Sequence, residues 1–145
     1  MRRSILVALL LVSFGVACKG RVAPPAVDKW TSCAVDGNRL EDLSLAAVAR
    51  SSDGQVKAFD RAACLLQAIP EGDQWQVWFH DNDGPDWIEA SKVVFVIQRT
   101  SAGGPIRAIR AFKNRAGADA FYQRTPGRNE IAPDYATLRG VVAHE

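Results

Sequence analysis

The side chains in this sequence with the greatest capacity for chemistry are two cysteines, Cys33 and Cys64, and one histidine, His80. Thiolates and imidazoles are ligands for copper and zinc, so these three residues are candidate metal ligands. His80 precedes Asp81, whose carboxylate can orient an imidazole by accepting a hydrogen bond from its ring. A single histidine at the end of a strand also fits a surface or structural role, so His80 ranks third as a ligand.

The state of these cysteines depends on a third one, Cys18. If Cys18 is modified, Cys33 and Cys64 remain as a single pair. In an oxidising compartment this pair can form a disulfide that closes a loop of about 30 residues and stabilises the fold by roughly 3 kcal/mol. The pair can instead supply thiolates to a metal, or remain two separate thiols. The sequence alone leaves all three interpretations open.

The N-terminus is typical of an exported protein. Residues 1–17 combine a basic start, an apolar run and small residues before Cys18, which indicates a signal peptide. The apolar run is too short for a membrane span, which needs about 20 apolar residues. Residues 15–18 resemble the lipobox of bacterial lipoproteins, with Gly15 where an aliphatic residue is usual. The resemblance implies that Cys18 is the lipidated (for example palmitoylated) first residue of the mature chain; plain secretion is the alternative.

Location and charge restrict the partners. Lys19 follows the lipidated position, and by resemblance to Gram-negative lipoproteins it favours the periplasmic face of the outer membrane, because aspartate there favours the inner membrane. The chain has 18 Lys and Arg against 16 Asp and Glu, and loss of residues 1–17 removes two bases and no acid. A neutral mature chain without a basic run is not expected to bind nucleic acid.

The mature chain divides into a spacer and one domain. Residues 18–29 contain Pro24 and Pro25 and predict an extended, lipid-anchored spacer. Residues 30–145 are enough for one small domain with a modest core. No nucleophile–base pair, phosphate-binding loop or catalytic pair of carboxylates is recognisable in this sequence, so an enzyme is not expected.

The hydrophobic pattern of the domain predicts an α+β fold. Asp60 and Asn114 are predicted N-caps of helices that extend to Ile69 and Gln123. The predicted strands cover residues 55–59, 74–80, 93–98 and 106–112, and the third of these is apolar enough to be central in a sheet. Residues 56–63 and 109–116 are similar to each other, which predicts two related ββα-type units that share one small core, with the strand of residues 74–80 in the second half of the chain. A chance match between two strand–turn–helix segments is the alternative.

In its order of features the chain resembles the NosL family, the accessory lipoproteins of nitrous oxide reductase. The resemblance covers residues 31 to about 140. It is carried by the lipoprotein signal, Cys33, the segment 59–64 that ends in Cys64, His80-Asp81 followed by residues 87–90, and Pro105-Ile106 leading into the helix to Phe121. It implies an α+β fold of two related ββα-type units and a copper chaperone that faces the periplasm.

This chain departs from the family pattern at its methionines. Where the family has Cys-Gly-Met and Pro-Met, this sequence has Cys33-Ala34-Val35 and Pro105-Ile106. Met1 is the only methionine and leaves with the signal peptide, so the mature chain offers no thioether to Cu(I), which prefers soft sulfur ligands. The domain is therefore expected to be a divergent member in which the metal is changed or lost.

Two functions follow as expectations. The first is handling or delivery of a metal ion, with copper implied by the resemblance, Cys33, Cys64 and His80 as ligands, and an exported metalloenzyme such as nitrous oxide reductase as client. The second is a non-catalytic binding or scaffold module without metal, in which Cys33 and Cys64 form a disulfide.

Overall fold

A computed structural model describes residues 22–72 and 74–144, so Cys18 and the signal peptide lie outside the described residues. Within these ranges three helices accompany two antiparallel sheets, and the fold class is α+β as predicted. No helix of this part of the chain is long and apolar enough to cross a membrane. The elements are β1 (Ala47–Ser51), β2 (Val56–Phe59), α1 (Ala62–Ala68), β3 (Trp75–His80), β4 (Trp87–Glu89), β5 (Val94–Arg99), β6 (Ile106–Phe112), α2 (Arg115–Arg124), β7 (Arg128–Ala132) and α3 (Tyr135–Ala143).

The two sheets have the same internal plan. The first has the strand order β2-β1-β3-β4 and the second has the order β6-β5-β7. In each, the first strand in sequence is flanked by the second strand and by the strand that follows the helix. Two residues separate Phe59 from the start of α1 and Phe112 from the start of α2. The predicted pair of related units is confirmed, with a closing strand that makes each unit ββαβ.

The boundary between the units differs from the sequence interpretation. The sequence groups residues 74–80 with the second half of the chain, but β3 pairs with β1 and closes the first sheet. The central position of residues 93–98 is correct, because β5 lies between β6 and β7. The hydrophobic pattern does not predict β7, because the exposed side of this strand is charged, and it does not predict α3 either.

Phenylalanines from both units form the centre of the core. Phe59, Phe79, Phe95 and Phe112 are all fully buried. The rings of Phe79 and Phe95 meet edge to face with their centroids 4.8 Å apart, which joins the first sheet to the second. Each such side chain stabilises the fold by about 1.5–3 kcal/mol through burial. The main cluster of buried residues therefore belongs to both units, and a smaller one lies under α2.

Part of the predicted spacer belongs to the folded domain. Alternate residues of a strand face opposite sides of the sheet, and Val48 and Trp78 lie on the side of the first sheet away from Phe59 and Phe79. Both are nonetheless buried. Residues 22–27, which we call the strap, cover that side: Pro25 is buried, and the carbonyl oxygen of Ala23 accepts a hydrogen bond of 3.3 Å from Arg50 Nη1.

Candidate metal centre

The first cysteine lies in a tight turn that precedes β1. The backbone N–H of Cys33 donates to the carbonyl oxygen of Asn38 at 2.6 Å, and Gly37 N–H donates back to the Cys33 carbonyl oxygen at 3.0 Å. Gly37 has a φ of 75°, which suits glycine. Ala34 N–H donates to the carbonyl oxygen of Ala58 at 2.8 Å, so the turn is attached to the end of β2. These bonds hold the buried Cys33 side chain near the residues that follow β2.

The second cysteine lies in the first turn of α1. The backbone N–H of Cys64 donates to the carbonyl oxygen of Arg61 at 3.1 Å. Arg61 is the N-cap residue of α1, and its side chain forms no capping hydrogen bond. The prediction that Asp60 caps this helix is therefore wrong: its Oδ2 lies 3.2 Å from Arg61 Nε instead. Freed from the cap, the Asp60 carboxylate lies beside Cys64.

These two elements bring four potential ligands together. One ligand atom from each of Cys33, Asp36, Asp60 and Cys64 lies within 4.8 Å of the other three. We call these residues the Cys2Asp2 cluster. Cys33 is buried, Cys64 and Asp60 are partly buried, and Asp36 is exposed. The cluster thus has a thiol at its base and an open side next to solvent, as a site that exchanges its ion requires.

Arg61 forms ion pairs with both carboxylates of the cluster. Its Nη2 lies 3.3 Å from Asp36 Oδ2, and its Nε lies 3.2 Å from Asp60 Oδ2. The pKa of Arg61 is raised, chiefly by the charge of Asp60. The pKa of Asp36 is lowered, chiefly by the hydrogen bond that its carboxylate accepts from Asn38 N–H. Both effects stabilise the ion pair between Asp36 and the Arg61 guanidinium.

The two cysteines of the cluster are not joined to each other. Cys33 and Cys64 are free cysteines, so the structure brings the pair together without the disulfide. Burial, followed by the nearby charge of Asp60, raises the pKa of Cys64 to about 11. At neutral pH Cys64 therefore holds its proton, and a metal ion has to displace that proton in order to bind the sulfur.

One carboxylate oxygen of the cluster is left without a partner. Asp60 Oδ1 is buried and has no hydrogen-bond partner within the described part of the chain. Buried acceptors in folded proteins are nearly always satisfied, so an unpaired one needs an explanation. While Cys64 holds its proton, its thiol interacts with the Asp60 carboxylate, so the carboxylate needs a new partner once a metal ion displaces that proton. The donor set of two thiols and two carboxylates fits a metal ion.

His80 lies outside the cluster. It is the last residue of β3, where its ring packs edge to face on Trp87 with a centroid distance of 5.1 Å. Its Nδ1 lies 3.0 Å from the carbonyl oxygen of Asp81. The Asp81 side chain is buried, and its Oδ1 accepts a hydrogen bond from Asp83 N–H at 3.2 Å, so it does not orient the imidazole. Of the three predicted ligands, the structure assembles Cys33 and Cys64.

Sequence reasoning missed the two aspartates. Asp36 follows Cys33 by three residues, and Asp60 precedes Cys64 by four. An acid three or four residues from a cysteine can indicate a metal site, but Asp60 is equally well interpreted as the N-cap of a helix. The hydrogen bond between Ala34 and Ala58 that brings the two pairs together is a tertiary contact without a local pattern.

No protein-family model matches the chain, and no curated protein matches it either.

Proposed function

We propose that this chain is an exported lipoprotein whose domain binds a thiophilic metal ion through Cys33 and Cys64 and delivers it to an exported enzyme. The observation that carries the proposal is the Cys2Asp2 cluster, in which two free thiols lie within 4.8 Å of each other and the exposed Asp36 opens the cluster to solvent. Copper is the ion implied by the resemblance to NosL, and nitrous oxide reductase is the client that it implies.

The exposure of one ligand of the cluster supports handling of an ion that is exchanged with another protein. Asp36 is exposed, so an acceptor protein can reach the cluster from that side. An ion held by a buried thiol and an exposed carboxylate can leave one ligand at a time.

The metal proposal is tested by titration of the reduced mature protein with Cu(I) against a competing chelator. The Cys33→Ser/Cys64→Ser double variant should lose binding, with an affinity at least about a hundredfold below that of the wild type. His80→Ala is the matched control, because His80 is a potential ligand outside the cluster, and its affinity should equal that of the wild type. Equal affinity in the double variant and the wild type would refute the proposal.

The anchor has its own test, because Cys18 lies outside the described residues. Metabolic labelling with a palmitate analogue should mark the wild type and leave Cys18→Ser unlabelled. Cys64→Ser serves as the control for loss of any cysteine and should be labelled like the wild type. Equal labelling of Cys18→Ser and the wild type would overturn the lipoprotein assignment and leave the metal proposal in place.

The proximity of the two sulfurs also favours a second candidate, a scaffold without metal that is closed by a Cys33–Cys64 disulfide. Mass spectrometry of the unreduced mature protein separates the two. Trypsin places Cys33 in the peptide 30–39 and Cys64 in the peptide 62–92. Complete linkage of these peptides in protein isolated from its native compartment supports the scaffold, and separate thiol peptides support the metal site.

A further inference from the structure

We infer that the Cys2Asp2 cluster is a four-ligand site for a divalent ion of zinc(II) type, in which Asp36 and Asp60 coordinate the ion together with the two thiolates. The inference rests on the proposed binding of a metal at Cys33 and Cys64, and it names the class of ion. It departs from copper(I), which the resemblance to NosL implies.

The composition of the cluster is the first argument. Cu(I) is satisfied by soft sulfur ligands, and carboxylate oxygens add little to its binding. Zinc(II) accepts thiolate and carboxylate ligands in the same tetrahedral site, at about 2.3 Å for sulfur and about 2.0–2.2 Å for oxygen. Two thiols and two carboxylates therefore match a zinc(II) coordination sphere in both number and type.

Geometry is compatible with this sphere. Tetrahedral bonds of these lengths place neighbouring ligand atoms about 3–4 Å apart. The four ligand atoms already lie within 4.8 Å of one another, so the cluster has to contract by about 1 Å to close around an ion. Asp36 lies in an exposed turn and can make this movement, whereas the buried Cys33 is fixed by the hydrogen bonds of its turn.

Charge is the third argument. With both thiols ionised, the cluster carries four negative charges, and Arg61 compensates one of them through its contacts with Asp36 and Asp60. A divalent ion leaves one uncompensated negative charge, and a monovalent ion leaves two. Uncompensated charge at a partly buried site is costly, so the charge balance favours the divalent ion.

The unpartnered Asp60 Oδ1 distinguishes the two ions structurally. A Cu(I) ion held by the two thiolates alone leaves this buried oxygen without a partner. A zinc(II) ion with four protein ligands can coordinate Asp60 Oδ1 directly. If the ion coordinates the other oxygen of this carboxylate instead, Oδ1 is free to pair with Arg61. The mature chain has no methionine, so it lacks the thioether ligands that would favour Cu(I) over zinc(II).

The test compares two ions in two carboxylate variants of the reduced mature protein. Asp36→Asn and Asp60→Asn should each raise the Kd for zinc(II) by at least about tenfold. Loss of an interaction that only supports a metal ligand already weakens binding on this scale. The Kd for Cu(I) should stay within about threefold of the wild type in both variants, because the thiolates are unchanged. Asp86→Asn, which alters an exposed acid outside the cluster, is the control and should change neither constant.

Cobalt(II) supplies a readout that does not depend on affinity. Bound in place of zinc(II), it should show sulfur-to-metal charge-transfer absorption and the intense visible bands of a tetrahedral site, and Asp60→Asn should change the visible bands. If both aspartate variants bind zinc(II) like the wild type while the double cysteine variant does not, the inference is wrong and the proposed function stands. If the double cysteine variant binds both ions like the wild type, the proposed function itself is wrong.

Discussion

Phe79 of the first sheet packs edge to face on Phe95 of the second, and this contact ties the two halves of the chain into one core. Phe79→Leu and Phe95→Leu should each lower the free energy of unfolding by about 1–3 kcal/mol. In the double variant the losses should fall short of additivity by about 0.5–1.5 kcal/mol, the worth of an aromatic pair. Urea unfolding of the four proteins measures this coupling.

The matched control for this cycle is Phe112→Leu, because Phe112 belongs to the smaller cluster under α2. Combined with Phe79→Leu, it should be additive within about 0.5 kcal/mol. Additive losses for Phe79 and Phe95 as well would show that the two units are coupled by something other than this ring contact.

The pH dependence of the cluster has a definite sign. The folded state holds the Cys64 proton more tightly than the unfolded state, since burial raises the pKa from 9.0 to about 11. The stability that this proton contributes is fully present below the unfolded pKa and is lost as the pH rises through the folded one. Unfolding of the reduced protein should thus become easier between pH 9.0 and about 11, and less steeply in Cys64→Ser.

Alkylation gives an independent measure of the same pKa. Iodoacetamide reacts with the thiolate, so the labelling of Cys64 in the folded protein should increase with pH with a midpoint of about 11. In the protein unfolded by urea, the midpoint should lie near 9.0. Quantification of the tryptic peptide 62–92 follows Cys64 alone. The same midpoint in both states would contradict the burial of this thiol.

The N-cap of α2 offers a test of local stability away from the cluster. Asn114 Oδ1 accepts a hydrogen bond from Gly117 N–H at 2.8 Å. Asn114→Ala should lower the free energy of unfolding by about 1 kcal/mol, and Asn114→Ser should retain most of it. Thermal unfolding distinguishes these outcomes, and equal losses in both variants would show that the cap does not depend on the side-chain oxygen.

Lys113 is expected to stabilise the fold through a buried acid. Asp81 is 1% exposed, and its Oδ2 lies 3.8 Å from Lys113 Nζ. Lys113→Met retains most of the apolar stem and leaves the carboxylate without its cation, which should cost about 1–3 kcal/mol at neutral pH. In an Asp81→Asn background the same change should cost much less. An equal cost in both backgrounds would assign the effect of Lys113 to packing.

The strap should shield Trp78. Pro25→Asp places a charge in the buried part of the strap and should expose this indole, which is 4% accessible in the folded protein. Quenching of tryptophan fluorescence by acrylamide should increase as a result. Val22→Asp, at an exposed position of the same segment, should leave quenching unchanged. Unchanged quenching in Pro25→Asp would mean that the strap does not depend on this proline.

Local sequence patterns were sufficient to predict the strands in which apolar and polar residues alternate strongly and the helix that begins with a capping residue. Strand β6 has the predicted bounds of residues 106–112, and α2 begins after Asn114 as predicted. The strap was not predictable, because Pro24 and Pro25 suit an extended linker whether or not it contacts a sheet. Whether it packs depends on Val48 and Trp78, which lie far along the chain.

The residues of the candidate site were likewise predicted only in part from the sequence. Cysteine and histidine chemistry identified Cys33 and Cys64 without knowledge of the fold, but it added His80, which the fold places elsewhere. Asp36 and Asp60 are ordinary acidic residues in the sequence, and only the attachment of one turn to the end of β2 places them beside the two cysteines. Their spacing from the cysteines carries information only once both turns are known to meet.

The repetition of the ββαβ unit bears on how many ions one chain can hold. Asp60 and Cys64 follow Phe59 by one and five residues, and the matching positions after Phe112 hold Lys113 and Gly117. A Cβ atom at Gly117 would lie 2.8 Å from Asp83 Oδ2, so the space beside α2 is taken by the turn between β3 and β4. No equivalent cluster forms beside α2 in the described part of the chain, so the proposed site predicts a stoichiometry of one ion per chain.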